Sequence, residues 1–143
     1  MRIVFDNWQF WAILSAVFAA MTAILAKLGV ESIDSNLATF IRTLVVVAAL
    51  AGIVAFTGQF SAIPAISGKT YLFLGLSGLA TGASWLCYFR AMQIGEASKV
   101  APIDKLSVVL VAIFAAILLG EKLSLPNWLG VGLIGIGAIL VAL

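Results

Sequence analysis

Histidine is missing from this 143-residue sequence, which has one cysteine, three prolines, eight basic residues and six acids. Without histidine the chain lacks the commonest metal ligand and the side chain that most often moves protons near neutral pH. The lone Cys87 cannot form a disulfide within the chain. The charges are scattered and sum to +2, which gives no basic patch for nucleic acid. We therefore expect no metal, no organic cofactor, no nucleic-acid partner and no enzyme active site.

Apolar residues make up 64% of the sequence and charged residues 10%, with a mean hydropathy of +1.21. Soluble domains are roughly 45–50% apolar and about 25% charged, so a water-soluble core is excluded. A bilayer's hydrocarbon core is spanned by about 20 apolar residues. Uncharged runs cover 10–26, 43–68, 70–89, 106–120 and 123–143. The sequence predicts one all-α integral membrane domain over 1–143, with five transmembrane helices near 9–28, 36–57, 71–92, 100–119 and 126–143.

Residues typical of helix ends lie between these runs. The first run is too long for a signal-peptide core, and no polar mature domain follows it. We expect an N-cap within 34–36, a long loop over 61–69, a tight reversal at 94–99, a helix end at Gly120 and a helix start at Pro126. The aromatic residues near helix ends are expected to act as interfacial anchors. They are Trp8, Trp11, Tyr71 and Trp128.

Small residues recur at helical spacing on several spans. They follow one face of helix one at 12, 16, 19 and 23, and one face of helix three at 75, 78 and 82. Such residues allow membrane helices to approach closely. The glycines at 130, 132 and 135 match a dinucleotide-binding pattern, but no strand precedes them and no crossover unit follows. We interpret all three sets as packing faces.

Threading five helices through a membrane separates the basic residues into two groups. One face holds Arg2, Lys69 and Lys122. The opposite face holds the other five, which are Lys27, Arg42, Arg90, Lys99 and Lys105. Three against five is a weak asymmetry, so the positive-inside rule barely selects an orientation.

Besides Lys27 at the end of helix one, four charged residues are embedded in predicted helices, and each of these four has a structural interpretation beside a functional one. Arg42 and Lys105 would lie roughly 8–9 Å from the starts of their helices, within reach of the interface by snorkelling. Arg90, near a helix C-terminus, would meet favourable carbonyl dipoles. Asp104 would stabilise a helix N-terminus if Pro102 is the first helical residue.

Together, these four charges predict the lining of a cavity that opens on one side of the membrane. Ionised groups are costly in hydrocarbon, so they usually face a bundle interior or water. Trp85, Tyr88 and Ser107 could add aromatic and hydroxyl groups, although ordinary packing also explains the two aromatics. The candidate substrate- or ion-binding residues are Asp104, Lys105, Arg42, Arg90, Trp85, Tyr88 and Ser107.

The second half of the chain carries the motifs of a known family. Residues 87–99 read CYFRAMQIGEASK, residues 118–123 read LLGEKL, and residues 128–130 read WLG before a glycine-rich last helix. These segments resemble the EamA domains of the drug/metabolite transporter superfamily, over the whole chain as one five-helix domain. Many members have a proline in the first half of helix four, and Pro102 followed by Ile103 and Asp104 resembles the short, single-domain branch.

The resemblance implies a secondary transporter in a bacterial or archaeal plasma membrane. Larger members carry two five-helix repeats of opposite orientation, and the transport path forms between them. A single repeat would need an inverted second copy, so we expect an antiparallel homodimer of dual topology in the lipid bilayer. Its weak charge asymmetry suits insertion in both orientations.

We expect export of a small metabolite or drug-like compound by alternating access. Asp104 would bind a cationic group or a proton, while Arg42, Arg90 and Lys105 would balance charge or hold an anionic group. Two alternatives stay open. One is a non-transporting membrane subunit that packs against a partner through its small-residue faces, and the other is a lipid-headgroup flippase, which the superfamily resemblance permits.

Overall fold

A computed structural model describes residues 7–143, which form helices joined by short turns. The α-helices are α1 (Trp8–Val30), α2 (Ser35–Phe56), α3 (Gly68–Ile94), α4 (Ala97–Asp104), α5 (Leu106–Phe114) and α6 (Leu125–Ala142). Gln59–Ala65 forms a 3₁₀-helix, and Ala115–Leu119 forms a π-helix that continues α5. The all-α prediction is confirmed. Arg2, which the threading placed on one face, lies outside the described residues.

Five stretches of the described chain are long and apolar enough to cross a membrane. They are Trp8–Val30, Ser35–Phe56, Gly68–Ile94, Ala97–Leu119 and Leu125–Ala142. Their large apolar side chains are mostly exposed, and Phe56 is 97% exposed. Such a surface is untenable in water but suits hydrocarbon. The five transmembrane helices of the prediction are therefore confirmed, with shifted boundaries.

The largest shift concerns the predicted loop over 61–69, which is largely helical. Gln59–Ala65 is the 3₁₀-helix, and α3 already begins at Gly68. Ser67 supplies the reason, because its Oγ accepts a hydrogen bond of 3.2 Å from the backbone N–H of Thr70 and so caps the helix. With 27 residues, α3 is about 40 Å long, more than the hydrocarbon core needs.

Other helix ends follow the sequence closely. Asp34 caps α2, since its Oδ1 accepts hydrogen bonds from the backbone N–H groups of Asn36 (2.8 Å) and Leu37 (3.3 Å). Gly120 ends the fourth span with φ of 70°, a conformation that favours glycine. Pro126 is the second residue of α6, where a proline is tolerated.

The fourth span is interrupted by a turn of one residue at Lys105. It begins at Ala97, three residues earlier than predicted, so the reversal after α3 shrinks to Gly95 and Glu96. At Lys105 the α-helical pattern breaks, and the N–H of Lys105 donates to the carbonyl of Pro102 at 3.0 Å. Pro102 is the sixth residue of α4 and has no N–H for the preceding turn. Asp104 therefore ends α4, and the alternative that placed it in a first helical turn, with Pro102 as the first helical residue, is wrong.

The chain divides into two compact units, which we describe separately. The central unit is Leu28–Gln93, and the terminal unit combines Met1–Lys27 with Ile94–Leu143. In the central unit, Val30 and Met92 are fully buried. In the terminal unit, α4 and α5 pack against α6. The buried residues of the terminal unit are small, namely Ala23, Ala26, Ala112, Ala115 and Ala138.

The small-residue faces are packed within the chain at only some of their positions. A Cβ atom built on Gly135 would lie 3.3 Å from Cγ2 of Val109, so this glycine lets α6 approach α5 closely. A Cβ atom on Gly75, Gly78 or Gly82 would meet nothing within 4 Å among the described residues. The described residues therefore supply no partner for the α3 set, and its interpretation as a packing face stays a prediction.

Candidate functional site

Arg42 lies on the buried face of α2 in the central unit. Ser35, Ala38 and Thr39 are buried on the same helix, and Arg42 follows them at the i+3 and i+7 spacing of one helical face. The residue is seven positions after the first residue of α2, or roughly 10 Å along the axis. The helix thus carries a cation well into its span and turns it towards packed side chains.

Aromatic rings of α3 cover the guanidinium of Arg42. Its Cζ lies 4.1 Å from the ring centroid of Trp85 and 5.6 Å from that of Phe89. Trp85 and Phe89 are one helical turn apart, so both rings lie on the same side of α3. A cation over an aromatic face is attracted by the ring quadrupole, more strongly where water is excluded. The rings therefore stabilise a charge that hydrocarbon would not.

One nitrogen of this guanidinium has no acceptor. Nη1 of Arg42 is buried and forms no hydrogen bond to any residue in the described part of the chain. Aromatic rings offer no lone pair in the plane of a guanidinium, so the cation–π contacts leave this donor unsatisfied. A buried donor without an acceptor is costly, more so on a charged group. This atom marks the central unit's candidate site.

Arg90 makes a different set of contacts in the same unit. Its Nη1 donates to Oε1 of Gln93 at 2.7 Å, and Nε2 of Gln93 donates to the backbone carbonyl of Ile33 at 3.0 Å. This chain of hydrogen bonds ties the end of α3 to the turn before α2. Arg90 is exposed, four residues before the end of α3, and its interaction with the carbonyl dipoles of that end stays a prediction.

Asp104 and Lys105 form an ion pair at the break in the fourth span, within the terminal unit. Nζ of Lys105 lies 3.1 Å from Oδ2 of Asp104, and their side chains are 53% and 35% exposed, respectively. Because α4 begins at Ala97, the pair lies roughly 10–12 Å along the span, deeper than the sequence suggested. Adjacent residues on a regular helix point in different directions, so the break at Lys105 helps them to meet.

The structure brings the predicted residues together in two groups. Arg42 and Trp85 are in contact in the central unit, where Tyr88 is half-buried on the same helix as Trp85. Asp104 and Lys105 are in contact in the terminal unit, and Ser107 is exposed two residues beyond them. Arg90 is instead engaged with Gln93.

Three residues with specific contacts escaped the sequence analysis. Phe89 covers Arg42, and its position four residues after Trp85 was a usable signal. Gln93 follows Arg90 by three residues, another helical spacing. Lys27, counted only among the basic residues of one membrane face, donates from Nζ to the carbonyl of Gly95 at 3.0 Å across 68 residues of sequence. Helical spacing can predict the first two, but no local pattern predicts a contact so distant in sequence.

Comparison with known proteins assigns the chain to a family. The model of the EamA-like transporter family matches residues 6–143. The chain belongs to this family. The resemblance found in the sequence is thereby confirmed, and the EamA-like protein is a multi-pass integral membrane protein of a transporter family in contact with lipid.

Two relatives of this EamA-like protein carry descriptive names. An "uncharacterized transporter in cobO 3′ region" from Sinorhizobium sp. is 61% identical over 137 residues, covering 96% of this chain and 97% of the relative. A probable 4-amino-4-deoxy-L-arabinose-phosphoundecaprenol flippase subunit ArnE from Hamiltonella defensa is 27% identical over 73 residues, covering 51% of this chain and 66% of the relative. Both names describe transport rather than enzyme catalysis. No solved structure matches the chain significantly.

Proposed function

We propose that this EamA-like protein is a secondary transporter that exports a small metabolite or drug-like compound by alternating access. The observation that carries the proposal is the break in the fourth span at Lys105, with the Asp104–Lys105 ion pair beside it. Transporter binding sites are typically formed where membrane helices are discontinuous. Charged residues inside a membrane span usually mark a substrate or ion pathway.

In this proposal Asp104 binds a cationic group of the substrate or a proton, and Lys105 neutralises the carboxylate when neither is bound. The two side chains are partly exposed, so a competing cation can reach the carboxylate without unfolding the helix. Ser107 is proposed as further lining beside this pair in the terminal unit. In the central unit, Arg42, Trp85, Tyr88 and Arg90 are proposed as a separate subsite. Exchange of one cationic partner for another gives Asp104 two states, which alternating access requires.

The transporting form is proposed to be an antiparallel homodimer. An odd number of spans places the two ends of the chain on opposite membrane faces, so an inverted copy supplies the second half of a two-repeat transporter. The glycine face of α3 supports this proposal, because small residues without a contact among the described residues permit close approach of another helix. The two relatives are bacterial, which supports a bacterial plasma membrane as the site of action.

A lipid-headgroup flippase is the second candidate. It is supported by the likeness to the ArnE protein, whose name describes a flippase subunit, over about half of this chain. That name also supports the alternative in which the chain is one subunit of a larger assembly. The two candidates differ in the cargo, which is a water-soluble compound for the exporter and an anchored headgroup for the flippase.

Reconstitution in vesicles tests the function. Purified protein is expected to move a radiolabelled solute or a fluorescent headgroup lipid across the membrane, faster than protein-free vesicles do. A panel of amino acids, polyamines, organic anions and headgroup lipids separates exporter from flippase. Reporter fusions at the C-terminus are expected on both membrane faces. A single C-terminal location would contradict the antiparallel dimer, and failure to move any member of the panel would favour a non-transporting subunit.

A further inference from the structure

The guanidinium of Arg42 is stabilised on its faces and unsatisfied at its edge. Trp85 and Phe89 approach it through ring centroids at 4.1 Å and 5.6 Å, while Nη1 is buried without a hydrogen-bond acceptor. Guanidinium N–H donors lie in the plane of the group. An acceptor for Nη1 must therefore approach along the edge, in the plane that the aromatic rings leave open.

The described carboxylates do not supply this acceptor. Arg42 makes no ion pair with any of these described carboxylates. Two of the carboxylates already have other partners. Asp34 caps α2 through Oδ1, and Asp104 pairs with Lys105. The hydroxyl of Thr39, one turn before Arg42, donates to the carbonyl of Ser35 at 2.8 Å. The neighbouring polar groups on α2 are thus committed to the helix itself.

We propose that Arg42 binds an oxyanion group, a carboxylate or a phosphate, of the transported compound, with Trp85 as the flat floor of the subsite. A planar guanidinium can donate two parallel hydrogen bonds to such a group, which a lysine cannot. The inference rests on the proposed transport function and adds the chemical class of its cargo. Because Nη1 is shielded in this conformation, the oxyanion enters when the surrounding side chains open, a step that alternating access provides.

Trp85 offers a direct reporter for this subsite. The protein has four tryptophans, so the variant Trp8→Phe, Trp11→Phe, Trp128→Phe retains Trp85 alone. Its ring lies next to the guanidinium, so binding at Arg42 is expected to change its fluorescence. The probes are sodium benzoate and inorganic phosphate, added to detergent-solubilised protein at constant ionic strength. A lipid source is tested in nanodiscs that contain phosphatidic acid, against nanodiscs of phosphatidylcholine alone.

Three substitutions in this single-tryptophan background separate specific binding from general attraction. Arg42→Gln is expected to weaken binding at least about tenfold, because a charged, bidentate hydrogen-bonding partner is lost. Arg42→Lys keeps the charge but not the planar fork, so an intermediate loss is expected. Lys69→Gln removes an exposed positive charge from the same unit and is expected to leave affinity within about twofold. Size-exclusion profiles and thermal unfolding verify that each variant is folded.

Each outcome bears on the proposal. Saturable binding of benzoate or phosphate that depends on Arg42 supports an oxyanion from a soluble compound. A response confined to phosphatidic acid, with the same dependence, supports an oxyanion from a lipid. No saturable response to any probe, or equal responses in the parent and Arg42→Gln, overturns the site. If Arg42→Gln does not fold, Arg42→Lys decides by the same comparison.

Vesicle transport distinguishes failure of this site from failure of the proposed function. If binding depends on Arg42 but the protein moves no solute or lipid, the oxyanion site is supported and the proposed transport function is contradicted. If Arg42→Gln transports at the parental rate and the fluorescence titration shows no binding, the proposed transport function is supported and the oxyanion site is contradicted.

Discussion

The central and terminal units each hold charged side chains within apolar helices, and they do so by different means. In the central unit, Arg42 is half-buried beneath Trp85 and Phe89 and has no carboxylate partner among the described residues. In the terminal unit, Asp104 is paired with Lys105 at a helix break, and both side chains are partly exposed. One unit covers its charge with rings, whereas the other neutralises it with an opposite charge.

This difference has a physical consequence for each unit. Aromatic cover is fixed by helix packing, because Trp85 and Phe89 must stay on the same side of α3 to reach the guanidinium. A pair of exposed charges is weakly held, and solvent or another ion can separate it. Substitutions in the central unit should therefore act on stability as well as on binding, while substitutions at the ion pair should act mainly on transport.

The largest expected effect is that of Asp104→Asn, which would show whether the ion pair is functional. The substitution keeps the size of the side chain but removes the charge that we propose binds a cation or proton. We expect the transport rate in vesicles to fall at least about tenfold, with folding and formation of the proposed dimer unchanged. Glu121→Gln, which neutralises an exposed acid in a turn, is the matched control. Full transport by Asp104→Asn would remove this residue from the mechanism.

Next in size is the contrast between two glycines of the small-residue faces. Gly135→Leu forces a bulky side chain against Val109, so we expect a loss of about 1–3 kcal/mol in the free energy of unfolding of the protein in detergent. Gly78→Leu meets open space among the described residues and should leave that free energy unchanged, while we expect it to weaken the proposed dimer. The measurements are unfolding curves and cross-linking yields. A normal dimer in Gly78→Leu would contradict an interface at this face.

Trp85→Leu tests whether aromatic cover stabilises the central unit. The substitution keeps an apolar side chain but removes the ring that lies over the Arg42 guanidinium. We expect a loss of about 1–2 kcal/mol in the free energy of unfolding, the range of a cation–π contact shielded from water. Trp8→Leu removes a tryptophan that is 73% exposed and should have little effect. Equal unfolding curves for Trp85→Leu and the parent would show that the rings do not stabilise this charge.

The smallest expected effect is that of Gln93→Ala, which removes the link between α3 and the turn before α2. The side chain accepts from Arg90 and donates to the carbonyl of Ile33. We expect a loss of about 1 kcal/mol in the free energy of unfolding, because such bonds replace bonds to water. Gln59→Ala, at an exposed position, is the control. A fall in transport rate larger than the loss in the free energy of unfolding explains would assign this link a role beyond packing.

Much of the fold could be predicted from local sequence. Uncharged runs predicted all five spans, and Asp34, Gly120 and Pro126 predicted helix ends where the structure has them. The prediction of a loop failed at residues 61–69. There Ser67 caps α3, so the helix begins at Gly68, among polar residues that precede the apolar run. The first-turn alternative for Asp104 also failed, because it required a helix that starts at Pro102, whereas the helix begins at Ala97. A cap close to an apolar run is hard to separate from the loop before it.

The amino-acid sequence by itself determined that this protein is a five-span membrane protein of the EamA-like family, because long uncharged runs can hide their backbone from lipid only as helices. It also supplied the small set of charges that such helices must accommodate. Only the tertiary structure decided how each charge is accommodated. The contact of Arg42 with an aromatic ring depends on how helices pack, and the contact of Asp104 with Lys105 depends on where a helix breaks. The spacing of side chains along one helix does not determine which helix packs beside it.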